Sequence, residues 1–346
     1  MAAGLGGFVI RVAAFSLIAL PLLMACGAAE DNTSAGPWLA SLSQQALINL
    51  PEYHQDLKTN SQHARETRET GIISLAWPVP DLSGDSAVDL LVLNITSDLS
   101  RSSFHSQVLA LCGRNGSTLW EKDYPGALAY ACPAGDLNDD GRTDVVVNVA
   151  LAGLDLIPYS EVMAIDGANG REIWSRPELL AATIAYPIQD TTGDNASELL
   201  VHVFGIDSLN STLATRISLI SGTNGTEISS RIYSGVLAVE YPAGNFTEDR
   251  IQDRIAASYY LNESQTGIAS TVTALDGSSS ATLWSRTFGS LALAVPLQDL
   301  TGDRRDELVV YMPGPGENRT RNEIAVISGA DGTMLWRRQG MIIVPP

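Results

Sequence analysis

Five short stretches of the chain set oxygen-bearing side chains at alternating positions: Asp81-Leu-Ser-Gly-Asp85, Asp136-Leu-Asn-Asp-Asp140, Asp190-Thr-Thr-Gly-Asp194, Asn245-Phe-Thr-Glu-Asp249 and Asp299-Leu-Thr-Gly-Asp303. Counted from its first residue, each loop has Asp or Asn at position 1 and Asp at position 5. Position 3 is Ser83, Asn138, Thr192, Thr247 or Thr301, and position 9 is Asp89, Asp144, Glu198, Asp253 or Glu307. Such side chains in a tight turn can converge on one hard cation. Calcium takes about six to eight oxygens at roughly 2.3–2.6 Å, and a backbone carbonyl at position 7 would help complete that shell. Magnesium demands stricter octahedral geometry and ranks second.

The ligand sets this assigns are Asp136, Asn138, Asp140, Arg142 (by its carbonyl) and Asp144; Asp81, Ser83, Asp85 and Asp89; Asp190, Thr192, Asp194 and Glu198; and Asp299, Thr301, Asp303 and Glu307. The set beginning at Asp136 is the strongest, because it alone has glycine, Gly141, at position 6, where the chain must turn sharply. Arg304 is a poor turn residue at the same place. Asn245 also opens a glycosylation sequon, and a glycan there would exclude it as a ligand. The competing reading of every loop is an Asx-turn that closes a strand connection without metal.

The loops start at 81, 136, 190, 245 and 299, a period of 54–55 residues. A fixed period of this size marks a solenoid, a propeller or an array. Each repeat has four β-rich runs. Strand a ends in an apolar residue and proline (Trp77-Pro78, Cys132-Pro133, Tyr186-Pro187, Tyr241-Pro242, Val295-Pro296), where a missing N–H costs least. Strand b follows the loop as a near-continuous apolar run such as Asp144-Val-Val-Val-Asn148, which predicts burial on both faces. Strand c (for example Val162-Met-Ala-Ile-Asp166) leads to Asn-Gly or Asp-Gly in four copies, the signal of a type I′ hairpin turn. The fourth copy has Ser279-Ser280, which predicts a looser turn. Strand d carries Trp120, Trp174, Ser229, Trp284 or Trp336, a ring placed to dock one module on the next or simply to pack in the core.

No amphipathic helical stretch separates the strands, so an α/β reading fails. The expected fold is all-β: a β-propeller of about five four-stranded blades at 71–124, 125–178, 179–233, 234–288 and 289–340, plus a terminal strand at 341–346. That last strand either closes the ring or begins a sixth unit. Residues 1–26 read as a signal peptide: Arg11, an apolar run from Val12 to Ala25, then Leu23-Met-Ala-Cys26. Cys26 is a lipidation candidate; a plain cleaved signal and an uncleaved anchor are the alternatives. Residues 27–70 form a linker or cap.

Asp136-Leu-Asn-Asp-Asp-Gly-Arg-Thr-Asp-Val-Val-Val resembles the FG-GAP/VCBS repeat of integrin-α-like propellers. Met163-Ala-Ile-Asp-Gly-Ala-Asn-Gly-Arg-Glu-Ile-Trp174 resembles the repeat of pyrroloquinoline-quinone-type propellers. The first resemblance implies calcium between the first two strands of a blade. Phe-Gly is absent before the loops and Gly-Ala-Pro after strand b.

Net charge of −18 argues against nucleic acid and anionic lipid surfaces and suits divalent cations. Nine of fifteen asparagines open sequons, where chance would give about two or three. The glycosylation candidates are Asn32, Asn94, Asn115, Asn195, Asn210, Asn224, Asn262 and Asn318. In an exported chain Cys112 and Cys132 are a disulfide candidate, with two buried thiols as the alternative. The four histidines have no metal-ligand spacing and no nucleophile motif appears.

These features point to a non-catalytic, exported, cell-surface or secreted scaffold, stabilised by structural Ca²⁺ and used for adhesion to a protein or carbohydrate ligand. Membrane contact would come only through the signal or a lipid anchor. A lipoprotein assembly scaffold is the alternative. A quinoprotein dehydrogenase is less favoured, because such enzymes by resemblance use adjacent cysteines and more blades. The long b–c linkers, such as Thr96 to Ser106, are the expected binding surface.

Overall fold

The computed structural model describes residues 70–98, 103–151, 159–179, 181–207, 212–261, 267–313 and 322–340. The signal peptide with Cys26, the 27–69 segment, the terminal strand 341–346, part of each long b–c linker (99–102, 152–158, 208–211 and 314–321), and Asn32, Asn210, Asn262 and Asn318 lie outside these residues.

The described chain is all-β, without helix, and folds as β-propeller blades. Blade 1 holds β1 (Thr70–Val79), β2 (Asp89–Asp98), β3 (Ser103–Leu111) and β4 (Thr118–Pro125). Blade 2 holds β5 (Ala127–Gly135), β6 (Asp144–Leu151), β7 (Tyr159–Ile165) and β8 (Glu172–Leu179). Blade 3 holds β9 (Ala182–Pro187), β10 (Leu199–Asp207), β11 (Thr212–Ile220) and β12 (Glu227–Ser234). Blade 4 holds β13 (Leu237–Pro242), β14 (Arg254–Leu261), β15 (Ile268–Leu275) and β16 (Thr282–Phe288). Blade 5 holds β17 (Leu293–Leu297), β18 (Glu307–Met312), β19 (Asn322–Ser328) and β20 (Met334–Gly340). Each sheet is four-stranded, with strands neighbouring in chain order. Proline falls on the edge strand a, where Pro78 faces Leu90 and Pro133 faces Val145; an edge strand tolerates the missing donor. Strand b is the buried one: six successive residues of β6 are buried.

The strands form two compact units. One spans the described residues up to Pro187 with Ser221–Gly225; the other spans Ile188–Ile220 and the residues from Thr226 onward. In the first, Leu91, Leu93, Val108 and Trp120 of blade 1 pack against Ala127, Ala129, Val145 and Val147 of blade 2. In the second, Ile255, Val272 and Trp284 of blade 4 pack against Ala292, Ala294, Leu308 and Val310 of blade 5.

The c–d connection corrects the type I′ expectation. The carbonyl of Cys112 accepts from Gly116 N–H at 2.7 Å, and the same i to i+4 bond recurs at Asp166/Gly170, Ser221/Gly225, Asp276/Ser280 and Ser328/Gly332. Only the last residue is left-handed, for example Gly170 at φ 72°. This is a four-residue loop ending in an αL residue, beside a register shift at the end of strand c. The fourth copy is no looser: Ser280 adopts φ 60° and makes the same bond. The Asp276 carboxylate stiffens it by accepting N–H bonds from Ser278 and Ser279.

The strand-d tryptophans dock one blade on the next. Trp120 Nε1 donates to the Gly167 carbonyl at 2.7 Å, Trp174 to Gly222 at 2.6 Å and Trp284 to Gly329 at 2.6 Å. Each ring lies on the turn glycine of the receiving blade, so that a Cβ on Gly170 would come within 2.8 Å of Trp120. An arginine two residues beyond strengthens the contact: Arg176 donates to Gly225 O and Arg286 to Gly332 O.

At the joint from blade 3 to blade 4 both halves of this lock are replaced together. Ser229 stands for tryptophan and Ser280 for glycine, their hydroxyls 3.4 Å apart. Arg231 keeps its role, donating to the Ser280 carbonyl at 2.6 Å. Arg254, at a position that is Val145 in blade 2 and Leu308 in blade 5, reaches Ser280 Oγ at 2.6 Å and pairs with Glu240 at 2.8 Å. Arg254 is 1% exposed and Glu240 5%, so each charge depends on the other. Truncating Arg254 to Leu should cost about 3–5 kcal/mol by stranding Glu240, whereas Arg254→Leu with Glu240→Ala should return close to wild type. Urea unfolding of the two variants measures this; equal losses would mean that the pair does not act as a unit.

Candidate metal centres

All five acidic loops share one backbone path. Position 4 is left-handed in each (Gly84, Asp139, Gly193, Glu248, Gly302), and so is position 6 (Ser86, Gly141, Asn195, Arg250, Arg304). The single glycine at position 6 was therefore not the discriminating feature, because serine, asparagine and arginine adopt the same conformation there.

Two left-handed residues turn the loop's N–H groups inward onto position 1. Asp81 accepts from Gly84 at 2.6 Å, Asp85 at 3.1 Å and Ser86 at 2.7 Å. Asp136 accepts from Asp140 and Gly141, Asp190 from Gly193 and Asn195, and Asp299 from Gly302 and Arg304. At Asp81 and Asp190 desolvation acts upward as the largest single influence but is outweighed by these N–H donors together, so both carboxyls lie below the ordinary range. The Arg304 N–H does most to lower Asp299. The position 5 carboxylate accepts from the N–H of position 7: Asp85 from Ala87, Asp140 from Arg142, Asp194 from Ala196, Asp249 from Ile251 and Asp303 from Arg305, all at 2.8–3.0 Å. These are the Asx-turns of the metal-free reading.

Position 9 is buried in every blade: Asp89, Asp144, Glu198, Asp253 and Glu307 are at most 1% exposed. Where it is aspartate, the carboxylate bridges two connections of one blade. Asp144 accepts from Leu137 N–H at 2.8 Å in the a–b loop and from Gly167 N–H at 2.9 Å in the c–d turn. Asp89 does this with Leu82 and Gly113, and Asp253 with Phe246 and Gly277. Where it is glutamate, the extra methylene carries the carboxylate into the loop. Glu198 takes the hydroxyls of Thr191 and Thr192 at 2.9 Å, and Glu307 takes that of Thr301 at 3.2 Å.

That reach decides which loops can gather carboxylates. Among the described residues two groups have ligand oxygens within 4.8 Å of one another: Asp190, Asp194 and Glu198, and Asp299, Asp303 and Glu307. The aspartate-ended sets Asp136/Asp140/Asp144 and Asp81/Asp85/Asp89 are not among them. The carboxylates thus converge in the loops of blades 3 and 5 and not, among the described residues, in the Asp136 loop that the sequence favours. Its Asp144 is held back by Leu137 and Gly167, and the Asn138 amide nitrogen approaches Asp144 Oδ1 at 3.5 Å. The Arg142 side chain lies against Gly84 of the preceding loop. In the glutamate-ended loops Thr192 and Thr301 bond to the gathered carboxylate, and both can present an oxygen to a cation.

Cys112 and Cys132 are both buried and are not joined as a disulfide; the Cys112 thiol faces Asp85 Oδ2 at 3.7 Å. Of the described sequon asparagines, Asn115 and Asn224 lie exposed in c–d turns and Asn195 in an acidic loop. Asn94 instead sits within β2, half-buried, bonded to Ser74 and Gln107. Buried His202 accepts the Glu240 N–H at 2.8 Å. The Glu240–Arg254 pair had no signal in any single repeat, but both break the column of apolar residues once the repeats are aligned.

No family model matches the chain, and no curated protein does. Solved structures show distant likeness. A mutant of Synechocystis apocarotenoid oxygenase matches over 78% of this chain and 62% of its own, with 12% identity and a TM-score of 0.39. The β-propeller domain of the Trilobed protease from Pyrococcus furiosus, described as having an open velcro topology, matches over 78% and 71%, with 11% identity and a TM-score of 0.38. The uncharacterized protein lmo1340 from Listeria monocytogenes matches over 79% and 83%, with 10% identity and a TM-score of 0.30. The chain thus spans less than two thirds of the first of these, and none informs its activity.

Desolvation pushes the Asp144 carboxyl up to about 6 against the Gly167 and Leu137 N–H bonds, and Asp140 and Asp166 add repulsion. The folded state therefore holds this proton more tightly than the unfolded chain, and this group's contribution weakens as pH rises from about 4 through 6. Asp140→Asn keeps the cap on Arg142 but removes one repelling charge. In metal-free buffer it should flatten the fall in urea midpoint between pH 4.5 and 7; an unchanged slope would contradict this.

Proposed function

We propose that this protein is a non-catalytic scaffold of propeller blades, exported to the cell surface or beyond, in which the loops of blades 3 and 5 take structural calcium. The observation that carries the metal assignment is the convergence of Asp190, Asp194 and Glu198, and of Asp299, Asp303 and Glu307. Three carboxylates with threonine hydroxyls are a hard, all-oxygen donor set of the kind calcium prefers. A bound cation would offset the mutual repulsion of the gathered carboxylates and tie strand a to strand b. Net charge of −18 fits a cation-rich medium, and the excess of sequons fits an exported glycoprotein. A scaffold of this kind acts by binding at its surface. The ligand class this favours is protein or carbohydrate, met by the connections at one edge of the blades.

Calcium titrated calorimetrically into the metal-free chain should show two sites. Glu198→Gln and Glu307→Gln should each remove one, the double variant both, and Asp140→Asn neither. Calcium at about 100 times its dissociation constant should stabilise the wild type by about 2.7 kcal/mol per site. No binding heat, or equal binding by the Glu variants, would overturn the metal assignment.

A further inference from the structure

The tryptophan lock leaves two halves without partners among the described residues, one on blade 5 and one on blade 1. Trp120, Trp174 and Trp284 are 7–9% exposed, whereas Trp336 is 49% exposed. Arg338, two residues on, occupies the place from which Arg176, Arg231 and Arg286 donate to the next turn, and it is exposed. Around them the same face of blade 5 is open. Val295 stands where Tyr241 packs into the joint between blades 4 and 5, and it is 46% exposed.

Blade 1 carries the reciprocal surface. Gly167, Gly170, Gly329 and Gly332 are buried under their tryptophans, but Gly113 and Gly116 are exposed. Nothing lies within 4 Å of a Cβ built on Gly116. On the face of blade 5 that meets blade 4, Ala294, Leu308, Val310, Ala325 and Ile327 are buried. Their counterparts in blade 1 (Ala76, Leu90, Val92, Leu109 and Leu111) are exposed or half-buried.

These halves match in type. One offers an indole N–H, a guanidinium and an apolar face. The other offers a left-handed glycine, two turn carbonyls and an apolar face. We propose that blade 5 of one copy docks on blade 1 of a second copy, with Trp336 Nε1 donating to the Gly113 carbonyl, its ring on Gly116 and Arg338 donating to Gly116 O. The occupant is argued from continuity: the contact repeats, between chains, the lock that joins blades three times within the chain. It is head-to-tail, so each copy keeps one free half and the assembly grows or closes as a ring.

Two variants each spoil one half. Trp336→Ala removes the donor ring. Gly116→Asn keeps the turn, because asparagine tolerates positive φ, but its Cβ blocks the incoming ring as one on Gly170 would. In sedimentation velocity the wild-type chain should gain mass with concentration, and each variant alone should stay monomeric with an unchanged circular dichroism spectrum. An equimolar mixture should form dimers and nothing larger, since one competent contact remains. A monomeric wild type would overturn the proposal, including one whose Trp336 fluorescence shows a buried ring seated on its own chain. So would a mixture that stays monomeric.

Discussion

A carboxylate removed from the protein surface must find its hydrogen bonds inside, and this constraint orders every blade. At Asp144 the two oxygens take N–H groups from two different connections, the a–b loop through Leu137 and the c–d turn through Gly167. An unsatisfied buried charge would cost several kcal/mol, so neither connection can drift without penalty. The same residue fixes the next level of structure. Gly167 gives its N–H to Asp144 and its carbonyl to Trp120 of the preceding blade. One glycine thus joins the hydrogen bonding within a blade to the packing between blades.

The exchange of aspartate for glutamate at position 9 alters that arrangement by one methylene. Aspartate and glutamate both take the N–H of position 2, but aspartate stays at the strand end and also takes the N–H of the c–d turn. Glutamate enters the loop, meets threonine hydroxyls and comes near the carboxylates of positions 1 and 5. One repeat in this way either keeps its carboxylates apart or gathers three of them, with the left-handed positions kept throughout. The joint from blade 3 to blade 4 shows the same economy. Loss of the tryptophan is accompanied by loss of the glycine it would cover, and Arg254 with Glu240 lies buried at the receiving blade.

The architecture was legible because period, proline, turn and tryptophan signals recur in register, and the strands and the docking role of tryptophan follow from them. The site was legible only in part. Glycine at position 6 does not set the Asp136 loop apart, because hydrogen bonds to the position 1 carboxylate hold Ser86, Asn195 and Arg304 in the left-handed region too. The reach of Glu198 and Glu307 depends on where the strand end sits relative to the loop, a distance that spacing along the chain does not report. The type I′ reading of Asn-Gly failed similarly. The glycine is indeed left-handed, but the bulge at the end of strand c lengthens the loop and frees asparagine from that conformation.

The coupling of the buried carboxylate to the blade joint is tested most directly by hydrogen exchange at two sites, the Gly167 amide and the Trp120 indole N–H. The expected result is strong protection of both in the wild type and joint loss of protection in Asp144→Ala, although the Trp120 indole bonds to Gly167 and not to the carboxylate. Retention of the Trp120 protection after loss of Asp144 would show that the blades pack without the carboxylate, and would contradict the dependence of the joint on it.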